Sequence, residues 1–265
     1  MKQYEAVPKN FLMRKNPVII RLDGKAFHTF TRGFEKPFDK IIETAIKETM
    51  LYLCKNIQGC VLGYTQSDEI TLVLCDYQKI DTDAWFEYNV QKMVSISAAM
   101  ATYAFNMILD NIAADSFAEA GNQKTKTTDL IMRKRNKGAF FDVRAFSLPR
   151  HEVVNCLIWR QQDATRNSVQ ALAQSLYSHN EIQGINCDKL QDKMLTEKGV
   201  NWNDLTTYQK RGACAIQKLV TKPSKKSGIV TSVVRYSWVI DDEIPIFTQD
   251  RDYVESRINF ATEGK

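Results

Sequence analysis

Short apolar runs alternate with longer amphipathic stretches along the first half of the chain, and turn or cap residues stand at the boundaries. Residues 18–22, Val-Ile-Ile-Arg-Leu, begin after Pro17 and stop at Asp23-Gly24, which predicts a strand followed by a turn. Over residues 38–57 the apolar positions fall at 38, 41, 42, 45, 46, 50, 51, 53 and 54. This is the three-four spacing of a helix with one buried face, and Asp39 can cap its start. Residues 60–64 and 70–75 are β-rich runs on either side of the polar stretch 65–69, which predicts an antiparallel hairpin. Residues 85–109 predict one long helix and residues 139–146 a last strand. Strand, helix, strand, strand, helix, strand is a split β-α-β-β-α-β unit, so the expected fold class is α+β on an antiparallel sheet.

Beyond the breaker Ser147-Leu148-Pro149 the pattern changes. Residues 152–177 and 187–196 predict helices, 205–212 a turn or short helix, and 213–220 and 229–238 two strands joined by a loop over 222–228. No repeat or low-complexity tract appears. The expectation is a catalytic core over residues 1–148 and an appended region of helices and strands over 149–265, packed on the core rather than independent of it.

Composition narrows the class. With 265 residues, 44% hydrophobic and 25% charged, and only 11 Gly and 6 Pro, the chain is an ordinary folded protein rather than a disordered or fibrous one. Its six cysteines lack the C-x-x-C spacing of zinc or redox sites, so reduced thiols in a cytoplasmic protein are expected. The first residues have no apolar core of the secretory kind. The uncharged stretch 93–109 carries Ser95, Ser97, Thr102 and Asn106 and falls short of the roughly 20 apolar residues of a membrane span, so a buried helix and no membrane are expected. Net charge is +5, and residues 121–137 hold six basic residues (Lys124, Lys126, Arg133, Lys134, Arg135, Lys137) against Asp129. Such a cluster favours a polyanion such as nucleic acid, although a run of charge is also what a solvated loop looks like.

The candidate chemistry lies at two turns. Asp23 follows the first strand, and Asp68 sits at the tip of the hairpin formed by the next two. In a split β-α-β-β-α-β sheet that strand and hairpin are central neighbours, so the two carboxylates converge at one sheet edge. Two like charges at close range call for a cation, and oxygen ligands with no nearby His or Cys point to Mg²⁺. A pair of such ions is the apparatus of in-line phosphoryl transfer. Gly24 permits a close backbone approach to an ion or phosphate. An aspartate in a turn is, taken alone, most often only a turn residue.

Several ordered motifs carry a resemblance. Arg21-Leu22-Asp23-Gly24-Lys25-Ala26-Phe27-His28, Phe34-Glu35-Lys36-Pro37-Phe38-Asp39 and Gly63-Tyr64-Thr65-Gln66-Ser67-Asp68-Glu69 resemble the signature of the tRNA-histidine guanylyltransferase superfamily. Phe141-Asp142-Val143-Arg144, Trp159-Arg160-Gln161-Gln162-Asp163 and Tyr208-Gln209-Lys210-Arg211-Gly212 extend the match in order over most of the chain. The resemblance implies a polymerase-palm-like core and a nucleotidyltransferase that adds nucleotides to RNA in the 3′-to-5′ direction. It implies two Mg²⁺ ions held by Asp23, the Gly24 carbonyl and Asp68. It also implies a GTP- or ATP-binding site formed by Asp23, Gly24, Lys25, Ala26, Phe27 and His28 with Ser67 and Asp68, and Lys36 near phosphate. Glu69 is a further catalytic candidate, but adjacent residues at a strand start point to opposite faces, so it can instead orient a basic partner. Arg144, Lys210 and Arg211 are candidates for phosphate or RNA backbone. The implied partners are the 5′ end and acceptor stem of tRNA, and the implied assembly is a homotetramer.

Two departures modify the expectation. Where guanylyltransferases acting on tRNA-histidine carry His-Ile-Asn-Asn, this chain has Thr165-Arg166-Asn167-Ser168, and their Lys-Pro-Asn-Asp is here Lys36-Pro37-Phe38-Asp39. By the first departure the chain looks more like the Thg1-like branch, in which an opposite RNA strand templates each addition and tRNA 5′ ends are repaired; the second argues against a polar role at position 38. The alternatives are a tRNA-histidine guanylyltransferase adding one guanosine, a non-catalytic RNA-binding module, and a palm-type nucleotide cyclase. An RNA-binding module of this kind exposes stacking aromatics on its sheet, and Val18-Ile19-Ile20 offers none.

Overall fold

The computed structural model describes residues 1–226 and 229–259. The first half of the chain forms α1 (Lys2–Ala6), β1 (Val18–Gly24), α2 (Phe27–Phe30), α3 (Lys40–Asn56), β2 (Cys60–Gln66), β3 (Glu69–Leu74), α4 (Val90–Glu119), α5 (Lys126–Arg135) and β4 (Phe141–Ser147). The second half adds α6 (Glu152–Leu176), α7 (His179–Ile182), α8 (Cys187–Lys198), α9 (Thr207–Arg211), β5 (Ala213–Lys226), β6 (Ile229–Asp241) and α10 (Asp252–Ile258).

β1 pairs antiparallel with both β3 and β4, and the sheet runs β4-β1-β3-β2-β5-β6. The first four positions reproduce the strand order of a split β-α-β-β-α-β unit. Along β1, Val18, Ile20 and Leu22 enter the core beneath α3 and α4, whereas Ile19 enters a second core beneath α6 and α10. All four are fully buried. That double cover explains why β1 is a continuous apolar run rather than an alternating one, and each such side chain contributes on the order of 1.5–3 kcal/mol. A third, smaller core joins the C-terminal half of α6 to α8 through Val169, Leu172, Leu190 and Met194.

Asp39 caps α3 as predicted, accepting from the Ile41 and Ile42 N–H groups at 2.9 and 3.2 Å. Other boundaries move. The helix expected over 85–109 occupies Val90–Glu119: residues 86–88 have positive φ, and Asn89 caps the true start by accepting from Lys92 N–H at 3.0 Å. By length and composition α4 would suffice to cross a bilayer; here Met93, Ser97, Ala101 and Phe105 on one of its faces are buried. The basic segment, which shows no periodicity of its own, contains α5, opened by a Thr125–Thr128 capping box and docked through buried Thr128 and Ile131. The loop expected over 222–228 is strand through Lys226, and residues 227 and 228 lie outside the described residues. The predicted strands of the second half extend the first half's sheet, since β5 pairs with β2 over Ala213–Ala215. Cys54, Cys60, Cys75 and Cys214 are buried free thiols.

Candidate active site

Two backbone events bring the predicted acids together. The Gly24 N–H, at the end of β1, donates to the Asp68 carbonyl oxygen at 3.1 Å, fastening the hairpin tip to the neighbouring strand. The hairpin turns in only two residues, Ser67 and Asp68, with Ser67 in the left-handed region at φ 51°. The Ser67 hydroxyl donates to Asp68 Oδ1 at 3.1 Å. Burial pushes the Asp68 carboxyl above its usual range, and the charge of Asp23 pushes it further. Among the described residues neither aspartate has an ion-pair partner.

The donors that meet here are two carboxylates, hard oxygen groups whose negative charge has no ion-pair partner among the described residues. That combination fits a magnesium ion. No cluster of three or more His, Cys, Asp or Glu side chains suited to a metal occurs among the described residues, so backbone oxygen, phosphate or water would complete the shell. Gly24 also has a packing reason: a Cβ there would meet the Phe27 ring at 2.3 Å. That ring sits among Phe30, Phe105 and Phe141, with centroids 5.2–5.4 Å away.

A cavity of about 480 Å³ opens beside Asp68. Phe27, His28, Lys36, Ser67 and Asp68, all predicted, line it. The one-turn α2 points Phe27 and Phe30 inward and leaves His28 exposed; Lys36, beyond α2, is exposed as well. Asp23, Gly24, Lys25, Ala26 and Glu69 are not in the lining; Asp23 reaches the site through Asp68. The Lys25 N–H donates to Phe140 O at 2.8 Å, and Ala26 holds φ 54° at the start of α2.

Glu69 is directly opposite Asp23 in the β1–β3 register, and its carboxylate lies 2.7 Å from Arg160 Nε. Arg160 also bonds Asp163 at 2.7 Å, and Asp163 pairs in turn with Arg166. Burial holds the Glu69 carboxyl above its usual range, an effect the Arg160 and Arg21 charges offset only in part. Glu69 is therefore the partner of a buried arginine, the second of the two roles considered for it. Gln161 holds the C-terminal segment, donating to Pro245 O at 2.9 Å and accepting from Phe247 N–H at 2.8 Å.

Lys210 Nζ donates to Asn203 O at 2.6 Å and Arg211 Nε to Ile244 O at 3.1 Å. Neither lines the cavity beside Asp68. Arg144 is exposed, 3.6 Å from Asp142.

The far wall of the cavity comes from the second half of the chain. Asn167, Ser168 and Gln174 of α6 face it, as do Tyr208 and Gln209 of α9. The Gln209 amide reaches Glu43 of α3 at 3.0 Å. Sequence reading noted the Thr165–Ser168 stretch and the Tyr208 motif only as parts of a pattern and did not place them in the pocket. Phe38 lines the same cavity, so both departures from the guanylyltransferase pattern meet in one space.

A family model described as Thg1, tRNAHis guanylyltransferase, matches residues 1–149. Two solved structures of bacterial tRNA(His) guanylyltransferase (Thg1)-like protein, in complex with ATP and with GTP, are each 40% identical to this chain. The ATP complex covers 98% of this chain and 97% of its own with a TM-score of 0.81; the GTP complex covers 97% and 96% with a TM-score of 0.75. The tRNA(His) guanylyltransferase of Schizosaccharomyces pombe is 23% identical over 96% of this chain and 95% of its own length. The chain belongs to the Thg1 family of tRNA(His) guanylyltransferases, a family of nucleotidyltransferases.

Proposed function

We propose that this protein is a template-dependent 3′-to-5′ nucleotidyltransferase that restores the 5′ end of tRNA, with ATP or GTP as activating nucleotide. The observation that carries the reading is the unmatched Asp23–Asp68 pair at the edge of a cavity offering Lys36 and His28. The similar bacterial proteins were solved with ATP and with GTP, which supports a nucleotide in this cavity. Phe38 in place of a polar residue and Thr165-Arg166-Asn167-Ser168 in place of His-Ile-Asn-Asn support selection of the nucleotide by an opposite strand rather than by the protein.

Asp23, Asp68 and the Gly24 carbonyl would hold Mg²⁺, which lowers the pKa of an attacking hydroxyl and neutralises the leaving phosphate. The chain's own residues position the reactants. Lys36, exposed at the cavity rim, supplies a cation to a triphosphate, and His28 a hydrogen bond. Ser67 holds one Asp68 oxygen, which fixes the rotamer of that carboxylate. In the overall reaction the RNA 5′-monophosphate displaces pyrophosphate from ATP, forming a 5′-to-5′ anhydride. The 3′-hydroxyl of the incoming nucleotide then displaces AMP. We place the enzyme in the cytoplasm as a homotetramer.

The test incubates the protein, Mg²⁺ and labelled nucleotides with a tRNA lacking its first 5′ residue, beside full-length tRNA-histidine. Restoration of the recessed end that follows the opposite base is expected. Extension of full-length tRNA-histidine alone, whatever the opposite base, would replace this reading with the guanosine-adding one, which the name of the family model favours.

A further inference from the structure

A second cleft, of about 880 Å³, lies between α5 and the start of α3. It is lined by Arg32, Lys40, Lys126, Arg133, Lys134 and Lys137, against the acids Glu35, Asp39 and Asp129. The Asp39 carboxylate is already engaged, accepting from the N–H groups of Glu35, Ile41 and Ile42. None of the six cations has an ion-pair partner among the described residues. Burial, followed by the charges of Lys137, Arg32 and Arg133, pushes the Lys134 ammonium below its ordinary range. Six cations thus face three acids in the cleft, a surplus of three positive charges.

Three features say what neutralises them. The cleft shares Phe34, Glu35 and Asp39 with the cavity beside Asp68, so a chain leaving that cavity past Phe34 enters it. Lys126 and Arg133 stand two turns apart on one side of α5, with Asp129 between them and Lys137 just past the helix end. Within α5, Lys126 to Arg133 runs about 10 Å at 1.5 Å per residue, and Lys137 lengthens the row, giving room for more than one backbone phosphate. We propose that this cleft grips the phosphodiester backbone of the RNA strand whose 5′ end occupies the neighbouring cavity, without reading its bases. The proposal rests on the reading that the substrate is RNA.

The test measures the affinity of 5′-recessed tRNA by fluorescence anisotropy across a salt series from about 50 to 200 mM. Arg133→Gln/Lys137→Gln is expected to weaken RNA binding and to reduce the slope of log affinity against log salt by about two in magnitude. ATP affinity should stay at the parent value. Both side chains are exposed and α5 docks through Thr128 and Ile131, so an unchanged melting temperature is expected. Arg135→Gln is the control: it removes a charge from the same helix, but one paired with Asp110 at 3.3 Å and outside the cleft lining, and should leave the slope at its parent value. An unchanged slope in the double variant overturns the proposal. So does a matching loss of ATP affinity, which would make the cleft a nucleotide subsite, or an equal loss of polyglutamate binding, which would make it an indiscriminate anion patch. If the slope falls as expected in the variant and the parent protein adds no nucleotide, the catalytic reading fails and the grip stands.

Discussion

At Asp68, burial and the neighbouring Asp23 act in the same direction, raising the carboxyl from its ordinary 3.8. A carboxyl whose folded pKa is raised supports the fold most at low pH, and that support is lost as pH climbs through the raised value. Without metal, the protein should therefore lose stability from this group as pH rises above the ordinary carboxylate value. A divalent ion favours the ionised form, so the gain in melting temperature on adding Mn²⁺ should be larger at pH 7 than at pH 4. Asp68→Asn removes the repulsion. Its metal-free melting temperature should be no lower than the parent's and its Mn²⁺ shift should vanish. Nucleotide transfer should fall by at least about 100-fold, since residues that merely orient a ligand already account for 10–100-fold. A variant that transfers nucleotide normally would refute the assignment. Gly24→Ala tests the neighbouring constraint: with its Cβ 2.3 Å from the Phe27 ring, overpacking should cost about 1–3 kcal/mol in denaturant titration.

Among the elements, α6 joins the parts. Its first turns cover the second face of the sheet through Val153, Val154 and Leu157, its middle walls the cavity with Asn167 and Ser168, and its last turns form a separate core with α8. Arg160 stands between the first two, with a side chain only 6% exposed and two acids to balance. Arg160→Met should destabilise by about 3–5 kcal/mol, because it strands Glu69 and leaves Asp163 with Arg166 alone. Glu69→Gln should cost less, since Arg160 keeps Asp163; equal losses in urea titration would contradict the network. This division of labour also explains what the sequence conceals. The strands β1 to β4 and α3 were legible because burial on one or both faces writes their period into the chain. Asp23 and Asp68 were legible because each follows or joins a strand at a turn. The contribution of α6 to the cavity was not, because Asn167 and Ser168 lie some hundred residues from Asp68 and their nearness is made by tertiary packing. α5 was hidden because only Thr128 and Ile131 on it are buried, too few to show a period amid its four cations.

For the molecule as a whole, the two halves share one sheet. The fragment 1–148 would lose β5 from the edge of β2 and uncover Ile19, Tyr64 and Val73, now beneath α6 and α10. We expect that fragment to bind a hydrophobic dye and to lack near-ultraviolet circular dichroism, as loosely packed states do; a sharply melting fragment would show that the core is autonomous. The two-residue turn at Ser67-Asp68 has a last consequence, for where the chain tolerates changes of length. One inserted residue there would swing Asp68 away from Asp23, because side chains alternate sides along a strand. A library of single-codon insertions should therefore yield no active clones at this turn, and many across residues 121–124, an exposed connection before α5.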